Sequence, residues 1–179
     1  MVLTVVSKVR PKHITAFRFI VTGIRSMEKK LYVICHNVRS RENIGSIFRT
    51  ADAFGVDKVF LTGYTPSPPH PKISKTALGA EEWVLWEKVF SPTRLIKKLK
   101  KESFFIAALE QHPNSFSIGE FKNLKVKKSV VLVLGNEVIG ILPRILKQCD
   151  AVFEILQRGK KESINVAVAF GIAAFLLTR

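Results

Sequence analysis

ILQRGKKESINVAVA, residues 155–169, is the stretch on which the fold turns. A polar loop containing Gly159 runs without a break into an apolar segment that continues almost to Arg179. A helix that is apolar on every side is a buried one, so this loop must deliver the last helix into a core or an interface. Two earlier stretches share its character, NVRSRENIGSIFRTADAFG at 37–55 and VLVLGNEVIGI at 131–141. Polar loops rich in Gly, Asn, Glu and Ser, each set between buried elements, are the segments that carry function on a rigid scaffold.

Outward from these loops the pattern alternates. Residues 31–35 form an apolar β-type run, followed by a helix with Ile44, Ile47, Phe48 and Ala51 at i, i+3, i+4 and i+7. Gly55 stands where a helix C-cap glycine belongs. Residues 56–61 predict a strand, and the proline-rich YTPSPPHP at 64–71 excludes regular structure. A strand is expected over 83–89 and a short basic helix over 92–101. Residues 104–109 and 130–134 read as buried strands separated by a lysine-rich loop. A helix over 142–148, a strand over 152–155 and the final helix over 164–177 complete the chain. Strands alternating with helices predict an α/β fold, a mostly parallel sheet with helices on both faces.

Composition narrows the partners. The chain has 179 residues, 47% of them hydrophobic, enough for one core and too many for disorder. Twenty-nine Lys and Arg against 14 Asp and Glu leave a net charge of +15. That balance points to a polyanion, nucleic acid before an anionic membrane surface, with lysines that merely keep the protein in solution as the plain alternative. Residues 164–177 fall short of the roughly 20 apolar residues a bilayer span needs, so no membrane partner is expected. Cys35 and Cys149 are isolated, as in a cytoplasmic protein without disulfides, and the four histidines show no ligand spacing, so no metal is expected.

Residues 1–26 differ from the remainder. They carry Lys8, Arg10, Lys12, Arg18 and Arg25 and no acidic residue. Met27 opens a self-sufficient α/β pattern, so 1–26 is read as a basic extension and 27–179 as the domain. An upstream extension before a second start codon, a transit-like peptide and an RNA-contacting arm all fit these residues.

The three loops hold the candidate chemistry. Asn43 sits at a helix start, where Asn caps well. Gly45, inside that helix, costs ~1 kcal/mol relative to Ala and implies close approach of a backbone or a ligand. Arg49 adjoins the apolar stripe and needs an anion, or a pair with Asp52 or Glu42. Gly135, Asn136 and Glu137 end an apolar strand, the position at which open α/β sheets bind ligands. There the glycine would let backbone approach a flat ring, and Glu137 could accept an arginine fork. Ser163 and Asn165 begin the last helix, with Ser163 as its expected cap. No G-x-G-x-x-G follows the first strand and no G-x-x-x-x-G-K-[ST] occurs, which argues against a nucleotide-dependent enzyme of those kinds.

In order and spacing these stretches resemble the three motifs of the SpoU/TrmH branch of the SPOUT-class RNA 2′-O-ribose methyltransferases, over nearly all of the chain from Lys29 onward. The resemblance implies a C-terminal deep trefoil knot, a homodimer, S-adenosylmethionine as cofactor, and methyl transfer to a ribose 2′-hydroxyl of tRNA or rRNA. Carried over by position, Arg49 is the catalytic arginine, joined by Asn43, Glu137, Ser163 and Asn165. Leu109, Gly135, Ile155, Ser163 and Ile164 would contact the cofactor. RNA would meet Arg49 and, by charge, Lys72, Lys75, Lys122, Lys125, Lys127 and Lys128. One departure stands out: Ile155-Leu156-Gln157 replaces the Ile-Pro-Met usual in the family, which loosens the loop. The alternative is a non-catalytic RNA-binding or ribosome-assembly factor on the same fold.

Overall fold

The computed structural model describes residues 29–161 and 163–179, so the 1–26 extension lies outside the described residues. Strand β1 (Leu31–His36) leads into helix α1 (Arg41–Ala53). Strand β2 (Lys58–Thr62) is followed by two short helices, α2 (Pro71–Ala77) and α3 (Ala80–Trp83), before strand β3 (Trp86–Val89). Helix α4 (Pro92–Lys101) precedes β4 (Phe105–Leu109), a short β5 (Phe116–Ser117) and a 3-10 helix (Ile118–Leu124). Then come β6 (Val130–Leu134), α5 (Pro143–Leu146), β7 (Ala151–Glu154) and α6 (Val166–Leu177).

The strands form one seven-stranded sheet in the order β3-β2-β1-β6-β4-β7-β5, and every pairing is parallel. Parallel strands covered on both faces lose all alternation of polarity, which is why β6 reads VVLVL and is buried at every position. Its side chains still divide by pleat. Leu132 and Leu134 join Val33, Cys35 and Leu61 in the core beneath α1, α2 and α6. Val131 and Val133 join Ile34, Phe60 and Ile106 beneath α4 and α5. Helices therefore lie on both faces, as the alternation predicts. No helix among the described residues is long and apolar enough to cross a membrane.

Several expectations shift. Pro71 does not exclude helix but opens α2, where its missing N–H costs nothing. Trp83 ends α3 instead of beginning β3, and the lysine-rich loop contains β5 and the 3-10 turn. Helix α1 has Phe54 at its C-cap, followed by Gly55 at φ +66°.

Chain order alone does not give the arrangement of α1 and α6. The two helices run side by side in the same direction: Asn43 bonds Asn165, Thr50 lies beside Gly171, and Phe54 meets Phe175 edge to face with ring centroids 6.1 Å apart. Gly45 on the neighbouring face of α1 answers the close approach expected of it, since backbone and not ligand fills the space. A Cβ there would overlap Thr76 Oγ1 and the Ile73 carbonyl of α2, and lie 3.0 Å from Ala77 N.

Gly45→Ala should therefore destabilise the fold by about 2 kcal/mol despite its better helix propensity. Gly171→Ala, whose Cβ would meet only Thr50 Cγ2 at 3.9 Å, should stabilise it by up to ~1 kcal/mol. Urea unfolding of the two variants checks the opposite signs.

Candidate functional site

The site forms at the carboxyl ends of the central strands. After β6 the chain makes a tight turn in which Asn136 and Gly140 exchange backbone hydrogen bonds of 3.2 and 3.0 Å. Asn136 Oδ1 accepts the Val138 and Ile139 N–H groups at 2.8 and 2.9 Å, an Asx-type turn. Its Nδ2 then donates to the Asn37 carbonyl at 2.8 Å and to Tyr64 Oη at 3.0 Å. A Cβ on Gly135 would stand 2.5 Å from Gly140 C and 2.6 Å from Ile141 N. The turn crossing over itself leaves no room for a side chain there and so requires glycine.

Helix α1 begins differently from its sequence reading. Ser40, not Asn43, is the N-cap, its Oγ accepting the Asn43 N–H at 3.0 Å. That frees the Asn43 side chain, whose Nδ2 donates to Glu137 Oε1 at 2.9 Å while its Oδ1 accepts Asn165 Nδ2 at 3.0 Å. Glu137 also accepts the Arg39 N–H on Oε2 at 2.8 Å and the Ser40 N–H on Oε1 at 3.0 Å, so backbone and amide donors, not an arginine fork, satisfy it. Asn165 in turn caps α6, its Oδ1 accepting from Ala167 N at 2.9 Å and Val168 N at 3.3 Å. Ser163 does not cap and is exposed. A single chain, Glu137 to Asn43 to Asn165, thus joins all three motif loops.

Partial burial pushes the Glu137 carboxyl up, but the Arg39 and Ser40 N–H groups, the Asn43 amide and its own N–H together outweigh that and hold it below the usual carboxylate range. Cys35, beneath the site, is pushed up to about 12 by burial and then by the Glu137 charge. It is a protonated core thiol and no nucleophile.

Two hollows flank the hydrogen-bonded chain. A cleft of about 620 Å³ is lined by Arg39, Arg41, Asn43, Tyr64, Pro66 and Glu137, among others. A smaller cavity of about 130 Å³ is lined by Leu109, Glu110, Ile155, Ser163, Ile164 and Glu154, with Gln111, Gln157 and Ala169. The first carries Arg39 and Arg41 beside Glu137, and the second carries the Glu110 and Glu154 carboxylates. Leu109, Ile155, Ser163 and Ile164 thus come together around one cavity, whereas Gly135 does not line it.

The other site candidates line neither hollow, although Lys72 comes beside the cleft through Glu42. Arg49 is exposed, six residues beyond Asn43 and so about 9 Å further along α1. It pairs with neither Asp52 nor Glu42, and exposure removes the burial cost that demanded a partner. Glu42 instead faces Lys72 at 3.4 Å. Lys75 is exposed on α2. Lys127 and Lys128 precede β6, and Lys122 and Lys125 lie on the turn that leads there. In a parallel sheet the residues that start a strand lie at the opposite end from its ligand-binding edge. Arg39, Arg41, Tyr64, Glu110 and Glu154 escaped the sequence reading. Their positions just after β1, β2 and β4 and at the end of β7 were the available signal.

Residues 30–175 match the SpoU rRNA Methylase family, and the chain belongs to that family. It is 33% identical over 153 residues to the tRNA (guanosine(18)-2′-O)-methyltransferase of Aquifex aeolicus, covering 85% of this chain and 70% of that protein. It is 30% identical to the 23S rRNA (guanosine-2′-O-)-methyltransferase RlmB of Coxiella burnetii, covering 83% of this chain and 58% of that one. An AdoMet-bound rRNA methyltransferase from Sinorhizobium meliloti superposes with a TM-score of 0.73 at 26% identity, over 82% of this chain and 55% of that one. The chain thus spans little more than half the length of the latter two.

Glu137→Gln places an amide among N–H donors and should cost about 2 kcal/mol at neutral pH. Because the folded carboxyl titrates below its ordinary value of 4.5, the wild-type advantage is full above that value and shrinks as pH falls through the folded one. Urea unfolding of both proteins between neutral and acid pH should show the gap closing.

Proposed function

We propose that the chain transfers a methyl group from S-adenosylmethionine to a ribose 2′-hydroxyl of tRNA or rRNA. One observation carries the reading: the Glu137–Asn43–Asn165 chain stands between a cleft bearing arginines and a cavity bearing carboxylates. In a protein of net charge +15, a cavity lined by Glu110 and Glu154 and, among the described residues, by no Lys or Arg suits a cation. Leu109, Ile155 and Ile164 give the same cavity apolar walls for a nucleoside. These residues fit S-adenosylmethionine, which supplies a methyl group on a sulfonium when bound. The cavity, about 130 Å³, is smaller than the roughly 300 Å³ typical of ligand sites.

The protein's part is positioning and charge. Arg39 and Arg41 hold the RNA backbone in the cleft, and Asn43 and Asn165, fixed by Glu137, orient the sugar. Arg49 binds the phosphate beside the target ribose and lowers the hydroxyl pKa electrostatically, because a guanidinium titrating above ~12 is a poor base. The 2′-oxygen would gain its C–O bond as the methyl–sulfur bond breaks, the neutral thioether S-adenosylhomocysteine would leave, and the hydroxyl proton would pass to a substrate phosphate.

Arg49 takes this role across a homodimer. Helix α6 exposes Val168, Ile172 and Phe175 at i, i+4 and i+7, an apolar stripe suited to a second copy. Arg49 lies on the solvent side of the adjoining α1, where a partner's cleft would meet it. Domain limits of 27–179 and the family's knotted path belong to the same proposal. The return of the chain from β7, across β4 and β6, to α6 beside α1 supports that path.

Calorimetry should find one S-adenosylmethionine site per chain, and absence of binding at millimolar cofactor with RNA present would favour the non-catalytic alternative. Arg49→Ala should abolish methyl transfer while leaving cofactor affinity and fold intact. Arg49→Lys should fail as well, since an ammonium lacks the planar fork. Co-expressed Arg49→Ala and Asn165→Ala chains should recover part of the activity that neither has alone. No recovery would refute action across the dimer.

A further inference from the structure

Tyr64 is out of character with its surroundings. Its neighbours Thr62 and Thr65 are fully buried, yet Tyr64 itself is 57% exposed at the wall of the cleft. Nothing about it is loose. Its N–H donates to Asn37 Oδ1 at 3.2 Å, and its hydroxyl accepts Asn136 Nδ2 at 3.0 Å. Thr65 Oγ1 donates to the Cys35 carbonyl at 3.0 Å and accepts the Val38 N–H at 3.1 Å, while Lys88 Nζ donates to the Thr65 carbonyl. Gly63, at φ +62°, leaves the space that Asn37 Oδ1 fills, so the turn closes tightly ahead of the ring. Backbone and hydroxyl are both held, and the aromatic face is what remains available.

The cleft around that face has the chemistry of a nucleotide site. Arg39 and Arg41 are exposed and form no ion pair among the described residues. Pro66 and the exposed Val138 add apolar wall. A site that gripped only the sugar-phosphate chain would need the cations and no aromatic surface. An aromatic ring beside cations, already ordered, suits a base stacked on the ring with its phosphates on the arginines. Asn136, which holds the hydroxyl, directly precedes Glu137, so the ring borders the Glu137–Asn43–Asn165 chain.

We propose that Tyr64 is the stacking platform for an unpaired RNA base in this cleft, with Arg39 and Arg41 on the adjoining phosphates. The proposal rests on the RNA-methylating reading and names how the same site takes its nucleotide. The base is single-stranded, since a paired base offers no free face to the ring.

The test is fluorescence anisotropy on the full chain with short uridylate and adenylate oligomers, each beside an abasic ribose-phosphate oligomer of the same length. Wild type should bind the base-bearing oligomers about tenfold tighter than the abasic one, the size expected of one stacked base. Tyr64→Leu should erase that ratio. Tyr64→Phe should keep it, which separates the ring from the hydroxyl's structural bond. Arg39→Ala should weaken all the oligomers alike and leave the ratio unchanged. Thermal unfolding confirms that each variant is folded, and Tyr64→Ala serves as a second ring deletion should the leucine variant fail. A wild-type protein indifferent to the bases, or a Tyr64→Leu variant that keeps the wild-type ratio, overturns the platform. Labelled methyl incorporation from S-adenosylmethionine into bulk tRNA and rRNA is measured in parallel. Incorporation with an unaltered Tyr64→Leu ratio sinks the platform alone, and a lost ratio without incorporation sinks the methylating reading alone.

Discussion

The Glu137 carboxylate holds the site together. It leaves the end of β6 and gathers the first free N–H groups of the α1 entrance and the Asn43 amide. A helix start presents unpaired donors and the positive end of its dipole. An acid from another loop that satisfies them ties two distant segments at one point. Asn43 passes the tie to Asn165, and Asn165 to the first turn of α6. The loops after β1 and β6 and the entry to the last helix are therefore placed relative to one another by one run of charge-assisted and amide hydrogen bonds. Asn136, donating to the Asn37 carbonyl at 2.8 Å, adds a second tie between the loops after β1 and β6.

This placement has a chemical consequence. The chain is strongly basic, yet it sets Glu110 and Glu154 around one hollow and Arg39 and Arg41 around the other. Glu110 is itself held, accepting the Ile141 N–H at 2.7 Å and the Gln111 N–H at 3.1 Å. Two sites of opposite sign, divided by the Asn43 and Asn165 amides and by a Glu137 carboxylate already satisfied by N–H donors, can hold a cation and an anion side by side without either displacing the other. An ordered reaction between a sulfonium and a polyanion needs that separation.

Much of the fold is legible in the residues because parallel strands and their covering helices obey local rules. The β6 run VVLVL, the α1 stripe through Ile44, Ile47, Phe48 and Ala51, and the apolar α6 all stand where periodicity puts them. Misreadings fell where one residue serves either of two structures. Pro71 breaks a helix or begins one, Trp83 ends a helix or begins a strand, and the short β5 borrows its identity from β7. Asn43 looked like a cap because Asn caps well, but Ser40 holds that position. Gly135 is required by its own turn, which leaves no room for a Cβ.

By itself the sequence determined the α/β class, the all-apolar central strands and the family motifs, because burial and periodicity act on neighbours along the chain. Tertiary structure alone decided which of those residues meet. Strand order puts β6 beside β1 and carries α6 back to α1, so Glu137 and Asn165 reach Asn43 across 94 and 122 residues of chain. It also leaves Lys127 and Lys128 at the far end of the sheet and brings Arg39, Arg41 and Tyr64 into the cleft. Hydrogen bonds act over about 3 Å, and only the path of the chain determines which donors and acceptors come within that reach.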